Sequence, residues 1–262
     1  MRDSVENLAR TWASIDDLCS PLTEDEWKRP TALPGWSVQD NLSHLVDYES
    51  RAVGRPGPDH TPPDVSHTRN AIGQSNEVGV DYRRPWAGAR VLAEFREVTA
   101  ARLAQLRAFT DEDFARPVDT PAGPGTLADM LNLRVMDSWA HEQDIRRAVG
   151  RPGHLEGPAA DQALAYFAGF LPYVVGKRAS ARDGTTVVIA IAGHDPFGIE
   201  VVDGRARRVE APSPSPDVTL RTDVATFAAL VNGRAGVSDT DVEIDGDQAL
   251  GQAIVTNLNV MV

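Results

Sequence analysis

The sequence contains a single cysteine and no long apolar run. Cys19 stands alone in 262 residues, which excludes an intrachain disulfide framework and is typical of a reducing compartment. No stretch approaches the roughly 18–20 consecutive apolar residues of a membrane span. The N-terminal stretch MRDSVENLARTW has no apolar core of a secretory signal. We therefore expect a cytoplasmic protein with no membrane partner.

The sequence also lacks an excess of basic charge. The 26 Lys and Arg residues are outnumbered by 38 Asp and Glu residues, so the formal net charge is -12 and the isoelectric point is near 4.9. This balance argues against nucleic acid as a partner, because phosphate binding needs a basic surface. The absence of a Walker loop, of G-x-G-x-x-G and of G-x-S-x-G argues against nucleotide, dinucleotide and serine-hydrolase chemistry.

Apolar periodicity predicts a helical first part of the chain. Prolines and glycines predict a long loop over 54–67 and a turn-rich connection over 117–126. The predicted helices are 3–19, a single turn at 24–27, 37–53, 69–83, 86–108 and 126–150. Ser37 and Asp40 resemble a capping box that opens the third of these helices.

The second part of the chain has a mixed pattern. It begins with one predicted helix over 158–176, and two more helices follow at 223–233 and 247–261. Its predicted strands, the first four forming a meander, are 185–193, 197–202, 206–211, 217–222 and 242–246. The order predicts an all-α domain over 1–153 followed by an α+β domain over 154–262.

The stretch RVMDSWAHEQDIRRAVG, residues 134–150, carries a polar stripe. At 100° per residue, Arg134, His141 and Asp144 lie within about 60° of Asp137, and apolar residues flank the stripe on both sides. A stripe with apolar neighbours on both sides is expected to line a polar cavity inside a bundle. Buried polar groups in such a cavity need partners.

Two of the six histidines, His44 and His141, lie inside predicted helices, and we interpret the loop histidines His60, His67 and His154 as solvated. Imidazole nitrogen and carboxylate oxygen are ligands of zinc-class metals. Asp137 and His141, four residues apart on one helix, can reach the same point, and His44 from a neighbouring helix would complete a three-ligand site.

A simpler interpretation stays open beside the metal site. Asp137 would then pair with Arg134, and the two helical histidines would be satisfied core residues. Asp144 would either orient a ligand or pair with a nearby arginine. On its own helix, His44 shares a face with Asn41 and Tyr48.

Two stretches, LTEDEWKRPTALPGWSVQDNLSHL and RVMDSWAHEQDIRRAVGRPG, resemble the signatures of the mycothiol-dependent maleylpyruvate isomerase-like family of actinobacteria. The later stretches SPDVTLRTDVATFAALVNGRA and VEIDGDQALGQAIVTNL are similar to the C-terminal domain of that family. The resemblance implies a DinB-like four-helix bundle followed by a smaller, sterol-carrier-like α+β domain.

The resemblance also implies a site. The metal ligands of the family fall on His44, Asp137 and His141, and zinc is the expected divalent metal. The family enzyme has Glu where this chain has Asp137, so the metal would lie closer to this helix or be held less tightly. The family also uses an arginine of its second domain, for which Arg221 and Arg234 are the candidates.

The function implied is that of a mycothiol-dependent isomerase or S-transferase, in which a metal-bound thiolate attacks a small electrophile. Arg234 and Asp144 are the candidate catalytic residues, and Asn41, Tyr48 and Arg134 are the candidates for binding the thiol cofactor. The partners expected are the thiol and the electrophile, and the protein is expected to be a monomer or a homodimer. Two alternatives stay open: a metal-water hydrolase with Asp144 as its base, and a non-catalytic protein that binds a small molecule or lipid.

Overall fold

A computed structural model describes residues 1–121, 123–234 and 241–261. The chain forms two compact units, Met1–Ala163 and Leu164–Val262. The domain boundary predicted between residues 153 and 154 stays a prediction. Within the described residues, no helix combines the length and the apolar character needed to cross a bilayer.

The first unit is helical, as the periodicity predicts. Its helices are α1 (Arg2–Cys19), α2 (Glu24–Trp27), α3 (Val38–Ala52), α4 (Ala71–Arg83), α5 (Gly88–Ala108), α6 (Asp111–Ala115) and α7 (Leu127–Val149). Helix α8 (Pro158–Ala168) follows and runs across the division between the units. Of the four long helices, α3 packs on α5 and α7, and α1 packs on α7 and α5.

Buried apolar side chains of the long helices form the core of the first unit. Burial of one such side chain stabilises the fold by about 1.5–3 kcal/mol. The core includes Leu8, Ile15, Leu42, Leu45, Phe95, Val135 and Ile145, all nearly inaccessible to solvent. Because α3 and α7 are in contact within this core, side chains on their facing surfaces lie close together.

Local sequence fixes where α3 and α7 begin. Ser37 and Asp40 form the predicted capping box: the Ser37 hydroxyl accepts from the Asp40 backbone N–H, and the Asp40 carboxylate accepts from the Ser37 N–H. Thr126 and Asp129 form the same reciprocal pair at the start of α7. Such caps satisfy backbone donors that have no partner within the helix. Helix α7 ends as predicted at Gly150, which has the left-handed conformation with φ 69°.

Three predicted segments differ in the structure, one of them being the helix predicted over 247–261, which ends at Thr256. The connection over 117–126 is a hairpin of β1 (Pro117–Thr120) and β2 (Gly123–Thr126), in which two prolines and two glycines conceal the strand pattern. The single helix predicted over 158–176 stops at Ala168 and resumes as α9 (Leu171–Tyr173) and a π-helical turn (Val174–Arg178). Gly169 and Pro172 explain this break, because both disfavour the interior of a helix.

The second unit contains one five-stranded sheet. Its strands are β3 (Thr186–Ile191), β4 (Phe197–Val202), β5 (Arg205–Val209), β6 (Val218–Thr222) and β7 (Glu243–Gly246), in the order β5-β4-β3-β6-β7. The predicted meander holds for β3, β4 and β5 but is wrong for β6, which pairs with β3 in parallel. Strand periodicity does not encode the pairing partner, so the parallel pairing of β6 with β3 could not be predicted from the sequence. The described part of this unit also contains helices α10 (Val224–Val231) and α11 (Gln248–Thr256).

Candidate metal centre

Helices α3 and α7 bring the three predicted ligands together. One ligand atom from each of His44, Asp137 and His141 lies within 4.8 Å of the others. The His44 Nε2 atom is 3.3 Å from Asp137 Oδ2, and the His141 Nε2 atom is 3.6 Å from Asp137 Oδ1. The geometry follows from one turn of α7, which places Asp137 and His141 side by side, and from the contact between α7 and α3.

The cluster is enclosed on its imidazole side. The side chains of His44 and His141 are 8% and 7% exposed, whereas that of Asp137 is 23% exposed. The buried ring of Trp36 lies 5.4 Å from the His44 ring and 5.7 Å from the His141 ring, measured between centroids. A small molecule would therefore approach from the carboxylate side.

Asn41 fixes the orientation of His141. The Asn41 Nδ2 atom donates to the Ser37 carbonyl oxygen at 2.9 Å and to Thr31 Oγ1 at 3.2 Å, so its Oδ1 atom faces His141 Nδ1 at 2.7 Å. A carbonyl oxygen only accepts, which assigns the proton of a neutral ring to Nδ1 and the lone pair to Nε2. Asp144 Oδ2 lies 3.7 Å from the same Nδ1 atom. The nitrogen facing Asp137 is thus free to coordinate.

Arg134 lies against the carboxylate of Asp137. Its Nη1 atom contacts Asp137 Oδ2, and its Nε atom donates to Glu49 Oε1 at 2.9 Å. The guanidinium carbon is 3.9 Å from the centroid of the Tyr48 ring. Glu49 is itself buried and also faces Arg102, with 3.5 Å between Oε2 and Nε. The simpler interpretation of the sequence predicted an ion pair between Asp137 and Arg134. The structure contains both this ion pair and the three-residue cluster.

The electrostatics of the cluster suit coordination. Burial lowers the pKa of His44, which keeps its imidazole neutral near pH 7. Burial opposes ionisation of Asp137, but the Arg134 guanidinium and the two imidazoles hold the pKa of that carboxyl well below its usual range. Imidazole nitrogens and an ionised carboxylate are a donor set that zinc-class divalent metals accept. The residues present therefore fit such a metal.

Two buried residues outside the predicted site, Trp36 and Glu77, support the cluster. The Trp36 indole N–H donates to Glu77 Oε2 at 2.9 Å, and Glu77 is fully buried on α4. His67 Nε2 is 3.1 Å from the same oxygen, and Arg84 Nη2 is 2.5 Å from Glu77 Oε1. Trp36 belongs to the stretch LTEDEWKRPTALPGWSVQDNLSHL that carries the family resemblance, and it stands directly before the Ser37 cap. Glu77 shows no periodic signal because α4 is weakly amphipathic.

Three histidines interpreted as solvated loop residues instead contact carboxylates, which corrects that prediction. His60 Nε2 lies 2.6 Å from Asp81 Oδ2, and His67 contacts Glu77 as described. His154 Nδ1 lies 2.6 Å from Oε2 of Glu142, a fully buried residue of α7. Proline and glycine mark these segments as loops but do not reveal that the loops fold back on helices.

The two candidate arginines of the second part of the chain lie in the second unit. Arg234 Nη1 donates to the Asn232 carbonyl oxygen at 2.6 Å. Arg221 Nε lies 3.3 Å from Asp245 Oδ2 across the pair of strands β6 and β7. Their role in binding a substrate stays a prediction.

Family comparisons match both parts of the chain. The model described as the mycothiol maleylpyruvate isomerase N-terminal domain matches residues 8–146, and the model described as the MDMPI C-terminal domain matches residues 161–253. Two uncharacterized proteins of Mycobacterium tuberculosis are each 27% identical over 139 residues, which is 52% of this chain and 52% of theirs. The chain thus spans about half the length of the curated relatives it matches.

Solved structures show a similar fold. The crystal structure of the mycothiol-dependent maleylpyruvate isomerase has a TM-score of 0.58 and 15% identity, covering 93% of this chain and 92% of that chain. A histidine-to-alanine mutant of that enzyme has a TM-score of 0.54 and 14% identity, covering 92% of both chains. At this identity the likeness establishes a shared fold of helical and sheet regions.

Proposed function

The chain belongs to the mycothiol maleylpyruvate isomerase family, a family of enzymes, and on this premise we propose that it is a metal-dependent enzyme with mycothiol as its thiol co-substrate. The observation that carries the proposal is the cluster of His44, Asp137 and His141, which lies inside the matched N-terminal region. A cytoplasmic location and the state of monomer or homodimer stay predictions.

The three clustered side chains would hold one divalent metal, with zinc the expected ion. A metal bound there would lower the pKa of a thiol from about 8.5 and supply it as a thiolate at neutral pH. The remaining residues prepare the ligands: Asn41 presents the lone pair of His141, and Trp36 keeps water from the two imidazoles. Asn41 is buried with all its polar atoms in hydrogen bonds, so we propose an orienting role for it rather than direct contact with the thiol.

A cavity of about 480 Å³ beside Tyr48 is the proposed place for the electrophile. Tyr48 is half-buried, and its ring also contacts the guanidinium of Arg134, so it belongs both to the cavity and to the surroundings of the metal centre. The cavity is lined by Tyr48, Arg51, Ala52, Ala71, Ile72, Ser75 and Asn76. Exposed Ile72 makes this wall suitable for an apolar part of a substrate.

Two outcomes are possible for the thiol reaction. Addition of the sulfur to one carbon of an activated cis alkene converts the double bond into a single bond, and rotation followed by loss of the thiol gives the trans isomer. If the carbon–sulfur bond is kept, the product is an S-conjugate. The family model and the solved enzyme are named for maleylpyruvate isomerisation, so maleylpyruvate is the first substrate to assay.

A metal-water hydrolase on the same ligands would need a general base. Asp144, the candidate from the sequence, is buried, and it lies near Nδ1 of His141, the ring nitrogen opposite to the one facing Asp137. A base on that side of the imidazole does not face the approach to the centre. We therefore favour the thiol-dependent enzyme and propose that Asp144 helps to orient His141.

The test is metal content, measured by elemental mass spectrometry on protein purified without a chelator or a metal-affinity tag. We expect about one equivalent of a divalent metal in the wild type and its loss in His44→Ala and in Asp137→Ala. His60→Ala is the matched control, because His60 pairs with Asp81 in another part of the first unit. Maleylpyruvate isomerisation should then require both the metal and mycothiol.

Each alternative has its own result. Metal without thiol dependence would favour the hydrolase. A wild-type protein that stays free of metal after incubation with zinc would contradict the proposed centre and favour the non-catalytic binding protein.

A further inference from the structure

We propose that Arg134 is a tethered counter-ion that competes with the metal for Asp137, so that the centre exchanges its metal instead of locking it in. This inference rests on the proposed metal centre and concerns how that centre is regulated. Arg134 Nη1 contacts Asp137 Oδ2, the same oxygen that faces His44 Nε2 at 3.3 Å. A positive charge therefore already occupies the carboxylate oxygen that is directed at the ligand cluster.

The guanidinium cannot retreat into solvent. Arg134 is 3% exposed, its Nε atom is held by Glu49, and the Tyr48 ring lies against its carbon atom. Glu49 is 1% exposed and is itself fixed between Arg134 and Arg102. A cation bound among the ligands would thus meet a fixed like charge across one carboxylate group, in a site where solvent screens little.

One further observation indicates that charge, rather than hydrogen bonding alone, places Arg134 here. Its Nη2 atom is buried and has no hydrogen-bond partner in the part of the chain that the structure describes. A buried donor without a partner costs free energy. The ion pairs with Asp137 and Glu49 offset this cost, and the pair with Asp137 is the one that a metal would disturb.

The competition predicts effects of opposite sign. Arg134→Gln removes the like charge, so zinc should bind more tightly, whereas the metal-free protein should lose stability because the partly buried Asp137 carboxylate is left without its cation. Glu49→Gln keeps Arg134 but removes the anion that offsets its charge, so zinc should bind more weakly although Glu49 touches none of the three ligands. A merely structural role for Arg134 predicts weaker zinc binding in both variants.

The experiment titrates zinc into the metal-free protein in competition with a chromophoric chelator. An adjacent charge shifts proton affinity by about 1–3 pKa units, each a factor of ten. By the same effect, we expect zinc to bind about 10- to 1,000-fold more tightly to Arg134→Gln, and more weakly to Glu49→Gln by a comparable factor. Arg134→Lys, which keeps the charge, should stay near the wild type. Arg146→Gln is the matched control on α7, because Arg146 pairs with Glu142 away from the cluster.

Equal or weaker zinc binding by a folded Arg134→Gln protein would overturn the competition while leaving the metal centre intact. Should that variant fail to fold, unchanged or tighter zinc binding by Glu49→Gln would overturn it instead. Failure of both the wild type and Arg134→Gln to bind zinc would remove the centre and the competition together. Zinc bound by Arg134→Gln alone would support the competition and contradict the metal-dependent function of the wild type.

Discussion

Substitution of Asn41 by alanine tests whether this residue of α3 fixes the orientation of the His141 ring. The variant loses the hydrogen bond between Asn41 Oδ1 and His141 Nδ1 at 2.7 Å, together with the two bonds that Nδ2 donates to Ser37 and Thr31. Loss of an outer partner of a metal-bound histidine typically costs 10- to 100-fold in metal affinity, or about 1.4–2.7 kcal/mol. We expect Asn41→Ala to weaken zinc binding by such a factor.

The structure also offers a control and a partial substitute. Thr31→Val removes one acceptor of Asn41 without touching His141, so it should leave zinc affinity within about threefold of the wild type. Asp144 Oδ2, at 3.7 Å from His141 Nδ1, can take over part of the role of Asn41. The double variant Asn41→Ala with Asp144→Asn should therefore lose more affinity than the two single variants together.

The assay is the same chelator competition, run on metal-free protein near neutral pH. Circular dichroism of each variant separates loss of affinity from loss of fold. Zinc binding by Asn41→Ala at wild-type strength would refute the argument, because the tautomer of His141 would then not depend on Asn41.

Three further predictions follow from burial and close packing. Burial lowers the pKa of His44, so the unfolded chain takes up a proton near pH 6.5 that the metal-free native protein does not. Below that pH the free energy of unfolding should therefore fall by up to about 1.4 kcal/mol per pH unit. Denaturant unfolding at several pH values should show a flatter slope for His44→Gln. Cys19 is 1% exposed and burial raises the pKa of its thiol, so Ellman's reagent should react with it far more slowly in the native protein than in the denaturant-unfolded protein; equal rates would contradict this. A Cβ atom at Gly88 would lie 2.1–2.3 Å from ring atoms of Trp27, so Gly88→Ala should lower the free energy of unfolding by about 1–3 kcal/mol. Gly57→Ala is the control: the nearest contact of its Cβ atom is at 3.9 Å, so it should change that free energy by less than about 0.5 kcal/mol.

Local patterns in the sequence predicted most of the helices of the first unit. The 3.6-residue period located the long helices, the Ser37 and Asp40 pair located the start of α3, and the spacing of four placed Asp137 beside His141. Each of these features depends on residues within one or two turns of helix. For that reason the ligand set could be proposed before any tertiary contact was known, and the structure brings its three members together.

Such local patterns could not predict contacts between distant segments of the chain. Nothing in the sequence near Trp36 indicates that its indole meets Glu77, 41 residues later, or that Glu49 would hold Arg134 across 85 residues. The parallel pairing of β6 with β3 was missed for the same reason. Side-chain periodicity states which face is buried but not which partner covers it.

The capping boxes of α3 and α7 have a consequence for how this chain can vary in length. His44 lies seven residues after the Ser37 cap, and Asp137 lies eleven residues after the Thr126 cap. Inserting or deleting one residue between a cap and its ligand would turn that ligand by about 100° and shift it by about 1.5 Å along the helix. Homologues that keep the centre should therefore tolerate substitutions within these intervals but no insertions or deletions, and their length differences should accumulate in segments such as 54–70, which contains no helix or strand.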